Sequence, residues 1–128
     1  MRLMRLRGRK TCDRLIRQGN VWKGRHMLIR WLAGHPRHPS ASRASEAIYA
    51  GTLASSKLDK SAVRRNRMRR RCREALRMAL LALPAAPWTM QLLVVPRSSS
   101  LDAPFTEIQK DILTFLSSRS HGRSAKTT

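Results

Sequence analysis

The segment from residue 57 to residue 77 contains the side chains that are best suited to chemistry in this chain. It reads KLDKSAVRRNRMRRRCREALR and carries ten basic residues against two acidic ones. A guanidinium group binds two oxygens of a phosphate at once, so a rigid row of arginines suits the regular spacing of phosphates along a nucleic acid. A dense charge run is also typical of a solvated tail, and the pattern around it decides between these two interpretations.

An apolar repeat in the same segment predicts that the arginines lie on a helix docked to a core. Apolar residues recur at spacings of three and four, which is the pattern of one buried helical face. They are Met68, Cys72, Ala75, Leu76, Ala79, Leu80 and Leu83. Ser61 is a suitable N-cap and Pro84 ends the pattern, so we predict a helix from about residue 61 to residue 83.

The candidate nucleic-acid-binding residues precede this helix or lie on its polar sides. They are Lys57, Lys60, Arg64, Arg65, Asn66, Arg67, Arg69, Arg70 and Arg73. The first helical turn adds free backbone N–H groups and the positive end of the helix dipole. Asn66 suits either a contact to a ribose hydroxyl or base edge, or a hydrogen bond that fixes the helix start. Because Arg65, Arg67 and Arg69 lie off the apolar face, we expect their loss to weaken RNA binding and to leave folding intact.

The acidic residues and histidines show no catalytic pattern. Metal-dependent cleavage of a phosphodiester needs clustered carboxylates, whereas the seven acids here are scattered along the chain. Glu107 and Asp111 are one helical turn apart, and we expect them on an exposed helix face. His35 and His38 each precede a proline in a loop, which is a weak metal signal. We therefore predict no catalytic residue and no metal site in the protein.

Composition restricts the class of protein further. The chain has 128 residues and a formal net charge of +20, which indicates one domain with a polyanionic partner. Nucleic acid is the first candidate and an anionic membrane surface the second, but no apolar run approaches the roughly 18 residues that span a membrane. Two cysteines are too few for a disulfide framework, and the basic start lacks the apolar region of a secretory signal. We expect a cytoplasmic protein.

Periodicity and turn residues predict a single α/β (α+β) domain over residues 11–116, between a flexible basic arm at 1–10 and a polar tail at 117–128. The expected order is α-β-β-(β)-α-β-α, with helices packed on a mixed sheet of about four strands. The elements are a helix at 11–19 with Thr11 as N-cap, a strand at 21–32 that breaks at Gly24, a loop at 35–45, a strand at 47–54, the basic helix, a strand at 90–95 and a helix from 104 to about 116.

Residues 62–74 carry a more specific pattern. They read AVRRNRMRRRCRE, which fills every fixed position of the signature A-V-x-R-N-R-x-[KR]-R-x-x-R-E of the bacterial ribonuclease P protein subunit. Gly19, Arg25, Gly51, Lys57 and Arg97 also match that family's pattern. Over about residues 9–116 the chain thus resembles this family.

The resemblance implies the protein part of an endoribonuclease. It implies a large catalytic RNA as partner and precursor tRNA as substrate, whose 5′ leader is removed. The active site and its Mg²⁺ ions are then expected in the RNA subunit and substrate, with no obligate protein partner and no membrane. The family fold also implies a left-handed crossover between parallel strands, where residues alone favour a right-handed one.

The resemblance further implies a cleft for the single-stranded leader between the first helix and the sheet. The family lines it with aromatic residues, and the matching positions here are Cys12, Ile16, Arg30 and Leu92. Stacking of a base on an aromatic ring contributes roughly 1–3 kcal/mol, which three of these residues cannot supply. We therefore expect the leader to be bound mainly by charge.

Two other classes of function remain open from the residues. A ribosomal-type RNA-binding protein would have the same charge without a leader cleft. A DNA-binding protein would read the major groove with residues 61–77, but that segment has few Asn or Gln side chains for base edges, and its arginines cover too many directions for one groove.

Overall fold

The computed structural model describes residues 2–36, 47–82 and 89–121 of the chain. In chain order the elements are β1 (Arg2–Arg5), α1 (Arg9–Gln18), β2 (Asn20–Lys23), β3 (Met27–Ala33), β4 (Ala47–Thr52), α2 (Ala62–Ala82), β5 (Met90–Pro96), the 3₁₀ helix η1 (Ser98–Leu101) and α3 (Phe105–His121).

The strands form one mixed sheet in the order β1-β4-β5-β3-β2. β4 is parallel to its neighbours β1 and β5, whereas β3 is antiparallel to β5 and β2. α2 is the crossover between the adjacent parallel strands β4 and β5. The predicted α/β class and the predicted order from the first helix onward are confirmed, with five strands instead of about four. The handedness of the crossover stays a prediction.

Helices cover the two faces of the sheet unequally. α2 and α3 pack on one face, here called the α2/α3 face, and among the described residues fifteen are buried in the core between them and the sheet. α1 packs on the opposite face, here called the α1 face, over a core in which five of the described residues are buried. Those five are Leu6, Leu15, Ala47, Tyr49 and Leu93. Because side chains alternate along a strand, β1, β3, β4 and β5 contribute to both cores, whereas β2 contributes Trp22 to the larger one.

The flexible arm predicted at residues 1–10 is wrong. Arg2–Arg5 form β1, which pairs with β4, and the Leu6 N–H donates to the Ala50 carbonyl at 2.9 Å. Leu3 packs against the larger core and Leu6 is buried in the smaller one. These apolar side chains hold an otherwise basic segment on the sheet edge.

α1 begins two residues before the predicted cap. Gly8 is its N-cap, at a φ of 94° that favours glycine, and Thr11 is buried inside the helix. The prediction of Thr11 as the cap is therefore wrong. Gly19 ends the helix as predicted, and its N–H donates to the Leu15 carbonyl at 3.0 Å.

The polar tail predicted from residue 117 is wrong for residues 117–121, which continue α3. Within this extension the Ser118 hydroxyl donates to the Phe115 carbonyl at 2.8 Å. Residues 122–128 and most of the loop predicted at 35–45 lie outside the described residues. The predicted break at Gly24 is confirmed, since β2 ends at Lys23 and β3 begins at Met27.

Candidate nucleic-acid interface

The start of α2 is fixed by the two residues that precede its basic half. Ser61 Oγ accepts the Arg64 N–H at 3.3 Å, which is the predicted N-cap bond. Asp59 Oδ1 accepts the Ser61 N–H at 2.8 Å. A carboxylate and a hydroxyl thus fix the position at which the helix begins.

Arg70, Arg71 and Cys72 show how the helix sorts its side chains. Arg70 is exposed to solvent. Arg71 turns to η1 and donates to the carbonyls of Ser100 at 2.7 Å, Leu101 at 2.8 Å and Ala103. Cys72 has no exposed surface, and burial raises its pKa to about 11, which Ser100 and Arg71 oppose only in part.

Several predicted binding residues are engaged by the protein's own main chain. Arg65 donates to the Asp59 carbonyl at 2.8 Å and the Lys60 carbonyl at 3.1 Å. Arg69 donates to the Ala54 carbonyl at 3.0 Å and also to Asn66 Oδ1. These bonds connect the turn before α2 to the helix itself. They speak against our expectation that removing such arginines leaves folding intact.

Arg67 and Arg64 are intermediate cases. Arg67 Nε donates to the Leu101 carbonyl at 3.3 Å, although the residue is exposed. Arg64 Nη1 lies 3.8 Å from Asp59 Oδ2, with 64% of its side chain exposed. Both retain guanidinium N–H groups for an external ligand.

The other four predicted cations are open to solvent. Lys57, Lys60, Arg70 and Arg73 are exposed, and their side chains bond to no other residue of the described parts of the chain. Asn66 is exposed too, and its amide oxygen is taken by Arg69. This bond lies within the helix and does not fix its start, so both roles considered for Asn66 stay predictions.

A cavity of about 880 Å³ separates the basic half of α2 from the sheet edge. Asn66, Arg69, Arg70 and Arg73 line it from α2, and Arg5 lines it from β1. Its apolar wall includes Leu6, Cys12 and Leu93, which belong to the α1 face. The sequence did not indicate Arg5, because β1 was not predicted.

Of the four residues predicted to line a leader cleft, the structure brings two into direct contact. Arg30 Nη1 donates to the Ile16 carbonyl at 3.0 Å, so these two predicted residues are neighbours at the end of α1. Ile16 is exposed, and Cys12 lies against the smaller core. Burial and the neighbouring Asp13 raise the pKa of the Cys12 thiol, so it stays neutral.

Leu92 is a wrong prediction, because it has no exposed surface and lies in the larger core on the α2/α3 face. The cross-strand partner of Arg30 is Leu93, which belongs to the α1 face. A shift of one residue moves a side chain to the other side of a sheet. The run MQLLVV is apolar on both sides, so the sequence does not show which of its residues face α1. The pairing of Leu93 with Arg30 shows that Leu93 lies on that face.

Among the described residues, the aromatic side chains give the α1 face little surface on which a base could stack. Trp22 and Trp31 lie edge-on to Phe115 at centroid distances of 5.6 and 6.4 Å, within the core on the α2/α3 face. Tyr49 is on the α1 face but buried. The His35 ring is 5.9 Å from Tyr49, and His38 lies outside the described residues.

The expectation that Glu107 and Asp111 lie on an exposed helix face is wrong for Asp111, whereas 43% of the Glu107 side chain is exposed. Asp111 is buried, and its carboxylate accepts the N–H groups of Arg25 at 3.2 Å and His26 at 2.7 Å. Glu107 lies 2.9 Å from His26 Nε2, whose other ring nitrogen is 2.8 Å from Ser99 Oγ. These carboxylates hold the β2–β3 turn to α3. Glu74 forms an ion pair with Arg77 on α2.

Within residues 2–36, 47–82 and 89–121, no helix has the length and apolar character needed to cross a membrane. The same residues contain no group of three or more His, Cys, Asp or Glu side chains that could hold a metal ion.

Fold and site together define a small α/β domain with an exposed cationic helix. The sequence matches the Ribonuclease P family over residues 1–119. The chain belongs to this family.

Named relatives agree with this assignment. A ribonuclease P protein component of Thermus thermophilus is 34% identical over 112 residues, which cover 88% of this chain and 57% of the relative. That of Prochlorococcus marinus is 37% identical over 84 residues, which cover 63% of this chain and 66% of the relative. The chain therefore spans little more than half the length of the Thermus relative.

Solved structures show the same fold. The Staphylococcus aureus RNase P protein superposes with a TM-score of 0.64 at 19% identity, covering 95% of this chain and 94% of that one. The Thermotoga maritima RNase P protein gives 0.67 at 19% identity, covering 88% and 94%.

Proposed function

We propose that this chain is the protein subunit of ribonuclease P, the endoribonuclease that removes the 5′ leader of precursor tRNA. The observation that carries the proposal is the complete signature at residues 62–74, with Arg70 and Arg73 open to solvent, in a member of this family. Family membership also speaks against the ribosomal-type and DNA-binding alternatives.

The proposed contact with the RNA subunit is the exposed side of the basic half of α2. Lys57, Lys60, Arg70 and Arg73 provide charges that no described residue of the protein neutralises. Each phosphate bound by such a group releases counterions, so affinity for RNA depends steeply on salt. Arg64 and Arg67 add N–H groups that their own contacts leave unused.

The proposed leader cleft lies on the α1 face. Its residues are Cys12, Ile16, Arg30 and, in place of Leu92, Leu93. Arg30 is partly buried and keeps donors beyond the one it gives to Ile16, so it can bind a phosphate or stack on a base. Cys12 and Ile16 offer apolar contact alone, and Leu93 is buried beneath the surface, which supports binding mainly by charge.

The proposed site of bond cleavage is the RNA subunit. Glu74, Glu107 and Asp111 are committed to Arg77, His26 and backbone N–H groups, which leaves them poorly suited to hold catalytic ions. Mg²⁺ would be held by the RNA subunit and the substrate and would supply the activated nucleophile there. The protein's part is to bind both RNAs and to reduce the repulsion between them.

Reconstituted cleavage tests this function. The protein added to a bacterial catalytic RNA at low Mg²⁺ should promote removal of the leader, and RNA-free protein should not cut precursor tRNA. The double variant Arg70→Gln/Arg73→Gln should lose affinity for the catalytic RNA by about tenfold or more, with a shallower salt dependence. The control, Lys110→Gln, removes a charge from α3, away from the basic half of α2, and should leave affinity unchanged.

Three results would contradict the proposal. They are cleavage by the protein alone, equal losses in the double variant and in Lys110→Gln, and recovery of ribosomal RNA or DNA instead of the catalytic RNA from cells.

A further inference from the structure

The N-terminal strand β1 forms one wall of the cavity beside α2. β1 is an edge strand that pairs with β4 alone, and Leu3, Met4, Arg5 and Leu6 all line the cavity. Leu3 packs toward the α2/α3 face and Leu6 toward the α1 face. The wall is thus held by apolar contacts on both sides of the sheet, and Arg5 is not needed to hold it.

Arg5 is exposed on this wall, opposite three arginines of α2. Its side chain bonds to no other residue of the described segments. Across the cavity, Arg69 is fixed by the Ala54 carbonyl, while Arg70 and Arg73 are open. Among the described residues, no acidic side chain lines this cavity. Four guanidinium groups around one space repel each other, and a polyanion in that space removes the repulsion.

The cavity also joins the two surfaces of the proposed function, on which this inference rests. Cys12 and Leu93 reach it from the α1 face, where we place the leader. Asn66 and Arg70 reach it from α2, where we place the catalytic RNA. Its volume of about 880 Å³ is in the range of sites for small ligands, which suits the nucleotides of one strand and not a duplex.

We propose that Arg5 is a further RNA-binding residue, and that the single-stranded 5′ leader passes through this cavity with its backbone between Arg5 and Arg70. The leader is the occupant because the cavity opens onto the α1 face and because its walls combine cations with apolar side chains. Phosphates bind to the guanidinium groups, while bases lie against the partly buried Met4 and Cys12 in the cavity wall.

The test compares Arg5→Gln with Arg7→Gln in the reconstituted ribonucleoprotein. Arg7 is also an exposed arginine, two residues away, and it does not line the cavity. Arg5→Gln should weaken binding of precursor tRNA by about threefold to fivefold, as expected for one solvent-exposed charge contact. The salt dependence should fall by about 0.7, the value for one phosphate of a single strand. Binding of mature tRNA and thermal unfolding should match those of Arg7→Gln.

Two results would overturn the inference. One is equal precursor affinity in Arg5→Gln and Arg7→Gln. The other is an equal loss for precursor and mature tRNA, or a loss of affinity for the catalytic RNA, since either would place the contact outside the leader. Arg70→Gln is measured in parallel. If Arg70→Gln weakens RNA binding and Arg5→Gln does not, only the inference on Arg5 is wrong, whereas no loss in either variant contradicts the proposed function itself.

Discussion

Two sides of helix α2 carry the same residue type and differ in what surrounds it. On the side toward η1, Arg71 donates to three main-chain carbonyls and Arg67 to one of the same three. On the open side, Arg70 and Arg73 contact solvent and the cavity. A carbonyl cluster and a phosphate both accept from a planar fork of N–H groups, so either partner suits arginine.

The number of arginines in α2 therefore overstates the number of guanidinium groups that the protein leaves open to a ligand. Arg65, Arg69 and Arg71 bond chiefly to the turn before α2 or to η1. We therefore assign them to shaping the surface and the open residues to binding. The third side of α2 is apolar and packs against the larger core, which holds the other two sides in place. Substitutions on this side are expected to cause the largest loss of stability.

Leu80→Ala tests that support and should give the largest loss of stability. Leu80 is buried in the core between α2, α3 and the sheet, so its truncation should lower the free energy of unfolding by about 2–5 kcal/mol. Leu81 provides the matched control, since it is the next residue and 69% exposed. Leu81→Ala should change stability by less than about 0.5 kcal/mol in urea unfolding. Similar losses in both variants would mean that the buried side of α2 is misassigned.

Cys72 lies on the same apolar side of α2, and its burial makes the free energy of unfolding depend on pH. Burial raises the pKa of its thiol from the ordinary value of 9.0 to about 11 in the folded protein. The folded state therefore keeps a proton that the unfolded state loses, so this contribution is complete below the unfolded pKa and disappears as pH rises through the folded one. The loss is on the order of 2–3 kcal/mol.

The measurement is the free energy of unfolding across the window between those two pKa values, in wild type and Cys72→Ala. The variant should lack this part of the decline, whereas Cys12→Ala, at a less buried position, should keep most of it. A parallel decline in wild type and Cys72→Ala would show that the thiol is accessible to solvent.

The sequence was sufficient for the features that depend on local pattern. The apolar repeat and the Ser61 cap predicted α2 almost to its ends, since it spans Ala62–Ala82. The sequence was insufficient where contacts between distant residues determine the structure. β1 exists because Leu3 and Leu6 meet a strand that begins more than forty residues later, and nothing within MRLMRLRGRK records that partner.

In the candidate site, too, local pattern predicts some features and distant contacts determine the others. The signature located the cationic helix, but periodicity does not distinguish Arg70 from Arg71, because the carbonyls that accept from Arg71 lie about thirty residues away in η1. In a strand that is apolar on both sides, Leu92 and Leu93 are likewise equivalent until pairing with β3 is known. Asp111 was expected at the surface because its partners are distant in the sequence. They are backbone N–H groups of the β2–β3 turn, which donate to its buried carboxylate.

A comparison of Arg70→Gln with Arg71→Gln tests most directly whether neighbouring arginines of α2 perform different tasks. Each variant is measured twice, by urea unfolding and by a salt titration of binding to the catalytic RNA. Arg71→Gln should lower the free energy of unfolding by about 1–3 kcal/mol, because it leaves η1 carbonyls unpaired, and the folded protein should keep its RNA affinity. Arg70→Gln should keep wild-type stability and lose affinity by about threefold to fivefold, with a salt dependence lower by about 0.7–0.9. Equal changes in both variants, in stability or in affinity, would contradict the account.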